Sequence, residues 1–305
     1  MKLRTITMAA CLLATAALTV GCSRHRQEAV ILSNEADQAV KVDVEGAINK
    51  YEQATRLDPT NHHIFYKLAM AYRKKEDWDK VASTLARATQ LAPKYANYWF
   101  FRGYALEMQA KKKISSYDEA KEPFGKCIDN DPNYAECYSE LGTVELWTDD
   151  EQKALENFTK AIEHDPKQVG YYAQLADLYI RLGYMKEAEQ VLQQAKSFAK
   201  AGDRDLFAIH VLLSQVLQDR GSMVEMVTEL EAAKAVANPE GSEAVQILYN
   251  LGSTYAQLDP PRKQEAINLL KGFNNRACKG AKALMYKTEC ETTATLVVRL
   301  GGTLQ

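Results

Sequence analysis

The sequence predicts an all-α fold, a solenoid of paired helices, on two observations. Pro59, Pro93, Pro132 and Pro166 stand 34, 39 and 34 residues apart. Each follows an acidic or small residue and closes a run of helix-type periodicity. Between the prolines, the same kinds of residue recur in the same columns. A period near 34 residues marks helix–turn–helix units, which bury their apolar faces only by stacking on one another.

The units are read in order. Residues 28–42 predict a weakly patterned first helix, and 45–61 its partner through Ala47, Tyr51, Ala54 and Pro59. From 62 to 95, Phe65, Leu68, Ala69 and Tyr72 share one helix, and Val81, Leu85 and Ala88 the next. Residues 96–134 carry Trp99, Gly103, Ala120, Phe124, Cys127 and Pro132, with five extra residues between the helices. From 135 to 168 the columns hold Tyr138, Leu141, Gly142 and Glu145, then Ala154, Phe158 and Ala161. From 169 to 202 they hold Tyr172, Leu175, Ala176 and Tyr179, then Ala188, Leu192 and Ala195. Residues 207–239 follow through Leu213, Ser214, Leu217, Leu230 and Ala233, and 245–275 through Leu251, Gly252, Tyr255, Ala266 and Leu270. Stretch 281–299 reads as a closing helix. Small residues such as Ala69, Gly142 and Ala176 let paired helices approach, large ones fill the grooves between turns, and proline stops the second helix. These columns resemble the tetratricopeptide repeat. The resemblance implies a right-handed superhelical solenoid of about seven repeats over 28–280, with a capping helix and tail over 281–305.

The N-terminus supplies a second signal. Lys2 and Arg4 precede an apolar stretch from Ile6 to Val20 that ends in Gly21-Cys22. The stretch is short for a bilayer span and has the layout of a secretory signal. Leu18-Thr19-Val20-Gly21-Cys22 resembles a bacterial lipobox, with Thr19 where leucine is usual. That resemblance implies a signal peptide over 1–21, acylation of Cys22, and a lipidated tether over 22–27. Two or three acyl chains anchor stably where one is marginal. Ser23 is not the aspartate that retains lipoproteins at the inner membrane in enteric bacteria, so the resemblance implies the outer membrane; the periplasmic face is the expected side and the cell exterior the alternative. The alternative is an ordinary signal peptide with an incidental cysteine.

Of six cysteines, Cys11 leaves with the signal and Cys22 takes lipid, leaving Cys127, Cys137, Cys278 and Cys290. An even count in an exported chain suggests disulfides, with three possible connectivities. The Asp129–Asn133 turn brings two antiparallel helices together and favours Cys127–Cys137; the same argument favours Cys278–Cys290. Four buried free thiols are the alternative. A metal is not expected, since neither pair has close spacing and no histidine cluster accompanies them.

Without residues 1–21 the chain has 36 basic and 40 acidic side chains, a formal net charge of −4, which argues against nucleic acid. Lys111-Lys112-Lys113 in the insertion reads as a solvated loop or helix end; the sharper reading is a contact with anionic lipid or an acidic partner. No catalytic or phosphate-binding motif is present. His62 and His63 are adjacent and point about 100° apart on a helix, a poor metal pair. His164 is expected in a turn beside Asp165, His210 on a helix, and Trp78 in local packing. Asp149-Asp150-Glu151 begins a helix, where carboxylates complement the dipole. No enzyme activity and no cofactor are expected.

What remains is the concave face, where the repeat resemblance places unpaired first-helix side chains. By register it is lined by His63, Tyr66, Met70 and Arg73, then Asn97, Phe100, Tyr104 and Met108, then Ser139, Thr143 and Trp147, then Ala173, Asp177 and Arg181. Gln215, Gln218, Tyr249 and Ser253 continue it in the later repeats. Aromatics and arginine dominate interface energetics and methionine adapts to apolar partners, so a protein or peptide is the expected ligand. The other reading of these side chains is plain helix packing. The lysine and asparagine clamp that some family members use for chaperone tails is absent: Tyr66, Met70, Phe100 and Tyr104 hold those places. The chain resembles repeat lipoproteins that deliver type IV pilus secretins to the outer membrane and, more loosely, those of gliding motility. The alternative class is an adaptor for peptidoglycan enzymes or a component of outer-membrane protein insertion.

Overall fold

The structure, a computed structural model, describes residues 24–304 except residue 201. The signal-like stretch and Cys22 lie outside the described residues. The chain divides into two compact units between His164 and Asp165. Among the described residues every regular element is helical, and no helix is long and apolar enough to cross a membrane.

The first unit holds α1 (24–39), α2 (Val44–Leu57), α3 (His62–Lys74), α4 (Trp78–Leu91), α5 (Ala96–Lys111), α6 (Asp118–Asn130), α7 (Ala135–Trp147) and α8 (Glu151–His164). Residues 24–27, expected as tether, are helical and belong to α1. The second unit holds α9 (Val169–Arg181), α10 (Met185–Phe198), α11 (Leu206–Asp219), α12 (Met223–Val236), α13 (Ser242–Gln257), α14 (Lys263–Ala277), α15 (Lys282–Met285) and α16 (Lys287–Arg299). The expected closing helix is thus two pieces, broken at Tyr286.

Local chemistry sets the helix ends. Asp43, Asp77 and Asp150 accept from the backbone N–H of Gly46, Lys80 and Lys153, capping α2, α4 and α8. Between repeats, Asp58, Asp131 and Asp165 precede the prolines and fold back onto the N–H of Thr60, Asn133 and Lys167. Such aspartate turns end one helix and start the next.

Within each unit the columns close into a core. Leu68, Ala69 and Tyr72 of α3 are buried, as are Val81, Leu85 and Ala88 of α4. A fully buried leucine such as Leu85 is worth about 1.5–3 kcal/mol. The same columns are buried at Phe124 and Cys127, at Ala154, Phe158 and Ala161, and in the second unit at Leu192, Leu230 and Leu270. A further layer joins first helices of successive repeats: Ile64 and Ala71, Tyr98 and Ala105, Cys137 and Val144 are all buried.

Two disulfides reinforce helix junctions. Cys127 of α6 is bonded to Cys137 of α7, with Cα atoms 6.2 Å apart. Cys278, at the end of α14, is bonded to Cys290 of α16, with Cα atoms 5.7 Å apart.

Candidate binding face of the first unit

The face is built on α5, which carries aromatics on every side: Tyr98, Trp99, Phe100, Phe101 and Tyr104. Tyr98 is buried between α3 and α5. Its ring stacks on Tyr66 at 4.9 Å and on Tyr95 at 4.9 Å. Nδ1 of His62 and Nδ1 of His63 approach its hydroxyl at 2.9 and 3.1 Å. One phenol proton serves one imidazole, so the other imidazole donates. Burial, and then the neighbouring His63, hold His62 below the ordinary imidazole range. Burial pushes Tyr98 up to about 12, helped by Tyr95 and Tyr66. The two histidines therefore meet on one phenol, although their side chains were expected to diverge.

Asn97 ties three repeats together. Its amide nitrogen donates to the Tyr66 hydroxyl at 2.9 Å, and its oxygen accepts from the Tyr134 hydroxyl at 3.3 Å. Tyr134 stacks on Phe100 at 5.3 Å. Phe100 in turn meets Phe101 at 5.1 Å and Tyr104 at 6.4 Å. The exposed Arg73 guanidinium lies over Phe101 at 4.9 Å and Tyr104 at 5.8 Å, a favourable cation–π arrangement. Trp78 packs edge-on against Tyr104 at 5.6 Å and so supports this face. Tyr66, Met70, Phe100, Phe101, Tyr104 and Met108 are half-buried, and His63 and Arg73 are exposed.

An acidic pair closes one end. Glu107 of α5 is fully buried and pairs with Lys111 at 2.7 Å. Burial, then the Glu107 carboxylate, push Glu140 of α7 above the ordinary carboxylate range. Burial alone would lower Lys111, but its contact with Glu107 outweighs that and raises it. Lys111 is thus part of a helix-end pair, while Lys112 and Lys113 are exposed. Beyond them Trp147 stacks on Tyr117 of the insertion at 5.6 Å and stays 57% exposed. Thr143 is half-buried and Ser139 buried.

Register reasoning missed Tyr98, Phe101, Tyr134, Glu107 and Glu140. A helix apolar all round has more than one buried face, and that signal in α5 could have found Tyr98 and Phe101. His164 is not in a turn: it ends α8 and stacks on Tyr138 at 5.0 Å.

In the second unit Asp177 and Arg181 pair with each other at 2.8 Å, and Ala173 is half-buried. Gln215, Gln218, Tyr249 and Ser253 line one polar cavity of about 250 Å³. His210 is buried and holds Glu229 at 2.6 Å, with Lys196 on the other carboxylate oxygen at 2.8 Å. Among the described residues, no group of three or more His, Cys, Asp or Glu side chains is arranged to hold a metal ion.

Family models match this architecture: "TPR repeat" over residues 43–76, and "Tetratricopeptide repeat" over 66–135 and 149–205. Among curated proteins, the chain is 23% identical over 252 residues to the heat shock protein sti1 homolog of Schizosaccharomyces pombe, covering 82% of this chain and 34% of that protein. It is 25% identical over 178 residues to the human mitochondrial import receptor subunit TOM70, covering 58% of this chain and 28% of that one. The chain thus spans about a third of the length of these relatives or less. Among solved structures, a tetratricopeptide repeat protein from Parabacteroides merdae superposes with a TM-score of 0.64 at 16% identity, over 88% of this chain and 99% of that one. PilF of Pseudomonas aeruginosa gives 0.53 at 20% identity, over 73% and 96%. The helix pairs, their buried columns and these matches agree that residues 43–135 and 149–205 carry tetratricopeptide repeats.

Proposed function

We propose that the chain is a non-enzymatic scaffold that captures an extended protein segment on the aromatic face of α3, α5 and α7. The observation that carries this reading is Arg73 lying exposed over Phe101 and Tyr104, beside half-buried Tyr66 and Phe100. Arginine and aromatic side chains that keep surface accessible are the residue types on which interface energy concentrates. Cross-linking by Asn97 and Tyr98 holds these rings in place before any partner arrives, which lowers the ordering cost of binding.

The lipobox-like sequence at Cys22 supports a lipid anchor at the outer membrane on the periplasmic side. A repeat scaffold held there suits assembly of an envelope machine, such as a pilus secretin or a motility complex. In-cell crosslinking of the native protein, beside a variant carrying Tyr66→Ala, Arg73→Glu and Phe101→Ala, tests both parts. An envelope component captured by the native form and lost from the variant, with the variant's helical signal intact, supports the reading. Equal capture by both forms removes the face from consideration. Recovery of peptidoglycan enzymes in place of a secretin or motility component would redirect the scaffold to cell-wall synthesis. Metabolic labelling with a palmitate analogue reads the anchor separately, and labelling that survives Cys22→Ala refutes it.

A further inference from the structure

The segment between Cys278 and Cys290 departs from the repeat pattern. Its disulfide closes a loop whose sequence separation is 12 residues. On the inner side Tyr286 packs edge-on against the buried Phe273 at 5.9 Å, and Cys290 joins the same cluster. On the outer side Leu284 is 82% exposed and Met285 77% exposed. Isolated exposed apolar residues are ordinary, but here two large ones are adjacent, at the tip of a loop that a covalent bond and an aromatic anchor hold in place. Lys279, Lys282 and Lys287 flank them in the sequence and are exposed, and Lys282 shares a cavity wall with Met285. None of the three forms an ion pair among the described residues; Lys279 meets only the neutral amide of Asn275. Behind the tip is a cavity of about 540 Å³ with Arg276, Lys282, Met285 and Tyr286 on its wall, and Glu240 as the opposing charge.

We infer that this loop is a docking site for an anionic lipid surface. Two adjacent aliphatic side chains are far too little for a stable protein interface, which needs on the order of 800 Å² per partner. They suffice for shallow insertion at the headgroup boundary when basic side chains add attraction to anionic lipid. The lysines carry the charge that such a surface lacks, and Arg276 and Lys282 offer a phosphate group donors beside the inserted tip. The contact lies in the second unit and does not depend on acylation of Cys22.

The test uses the chain from residue 23 onward, which keeps every described residue and carries no lipid. Cosedimentation is measured with phosphatidylglycerol vesicles and with phosphatidylcholine vesicles, at low and high salt. The expected result is binding to the anionic vesicles alone, weakened by salt. Leu284→Asp with Met285→Asp should reduce that binding by about tenfold or more, and so should Lys279→Gln, Lys282→Gln and Lys287→Gln together. All five side chains are exposed, and helical content and melting of each variant are checked first. Lys112→Gln with Lys113→Gln in the first unit should leave binding unchanged. Absence of binding by the native chain, equal binding by the loop variants, or loss of binding in the Lys112 and Lys113 variant each overturns the inference.

Discussion

The indole N–H of Trp99 donates to the carbonyl oxygen of Pro93 at 2.8 Å. The residue that opens the packing of one repeat thereby satisfies the carbonyl of the proline that ended the previous one. The relationship recurs: the Tyr138 hydroxyl donates to Pro132 at 3.1 Å and the Tyr172 hydroxyl to Pro166 at 3.0 Å. Where the column holds Phe65, which has no donor, Arg87 reaches the Pro59 carbonyl instead at 3.3 Å. Tyr138→Phe should lower unfolding stability by about 1 kcal/mol, the usual worth of one such bond. Urea unfolding measures it, and an unchanged midpoint would show that solvent replaces the bond without loss.

Close helix approach makes a second prediction. A Cβ at Gly142 would lie 2.9 Å from the Phe158 ring and 3.2 Å from the backbone oxygen of Ala154. Gly103 stands in the same relation to Phe124 at 2.8 Å. Gly142→Ala should therefore destabilise by about 1–3 kcal/mol through overpacking, although alanine is the better helix former by about 1 kcal/mol. Gly125 in α6 has nothing within 4 Å of that position. Gly125→Ala should act in the opposite direction and stabilise by up to about 1 kcal/mol. Thermal melting of the two variants separates packing from propensity; shifts of the same sign would contradict the argument.

The repeat columns were legible because packing and backbone chemistry impose them: only small residues fit opposite Phe124 and Phe158, and proline at 132 and 166 cannot continue a helix. The 39-residue spacing announced the insertion that places Tyr117 beside Trp147. The binding face was legible only in part. Register alone put Tyr66, Asn97, Phe100 and Tyr104 together, since they repeat with the helix pairs. It passed over Tyr98 and Phe101, because α5 is aromatic on all sides and no periodicity separates its faces. Glu107 and Glu140 were invisible for another reason. Charged residues are expected at the surface, and nothing local in the sequence announces that two repeats bury a carboxylate pair between them. The loop tip at Leu284 and Met285 was hidden within a stretch that reads as one helix until Tyr286 breaks it.

The Cys127–Cys137 bond joins the second helix of one repeat to the first helix of the next, both at fully buried positions. Cys127 stands in the small-residue column occupied elsewhere by Ala88 and Ala161. Replacing both cysteines by alanine preserves that packing, and the loss should be the cross-link alone. For a sequence separation of 10 residues this amounts to about 2–3 kcal/mol in the chain-entropy account. Guanidinium unfolding of the double variant measures it. Loss near zero would show that the unfolded chain already keeps α6 and α7 close.

The carboxylate pair makes stability depend on pH in an unusual direction. Most carboxylates in folded proteins are held low and stabilise as pH rises. Glu140 is held high, first by burial and then by Glu107. Between the ordinary carboxylate range and its own raised value, the folded state keeps a proton that the unfolded chain has lost. Stability from this group is therefore greatest in acid and falls as pH rises toward and through neutrality. Lys111 offsets part of the repulsion by pairing with Glu107. Glu140→Gln keeps the shape and removes the titration, so it should flatten the pH dependence and stabilise the chain by ~1 kcal/mol or more at about pH 8. At about pH 5, where Glu140 is protonated in the folded state, the variant and the native chain should differ little. Chemical unfolding of both proteins across that range decides it: a native chain whose stability rises through neutrality while the variant tracks it would mean that Glu140 ionises freely in the folded protein.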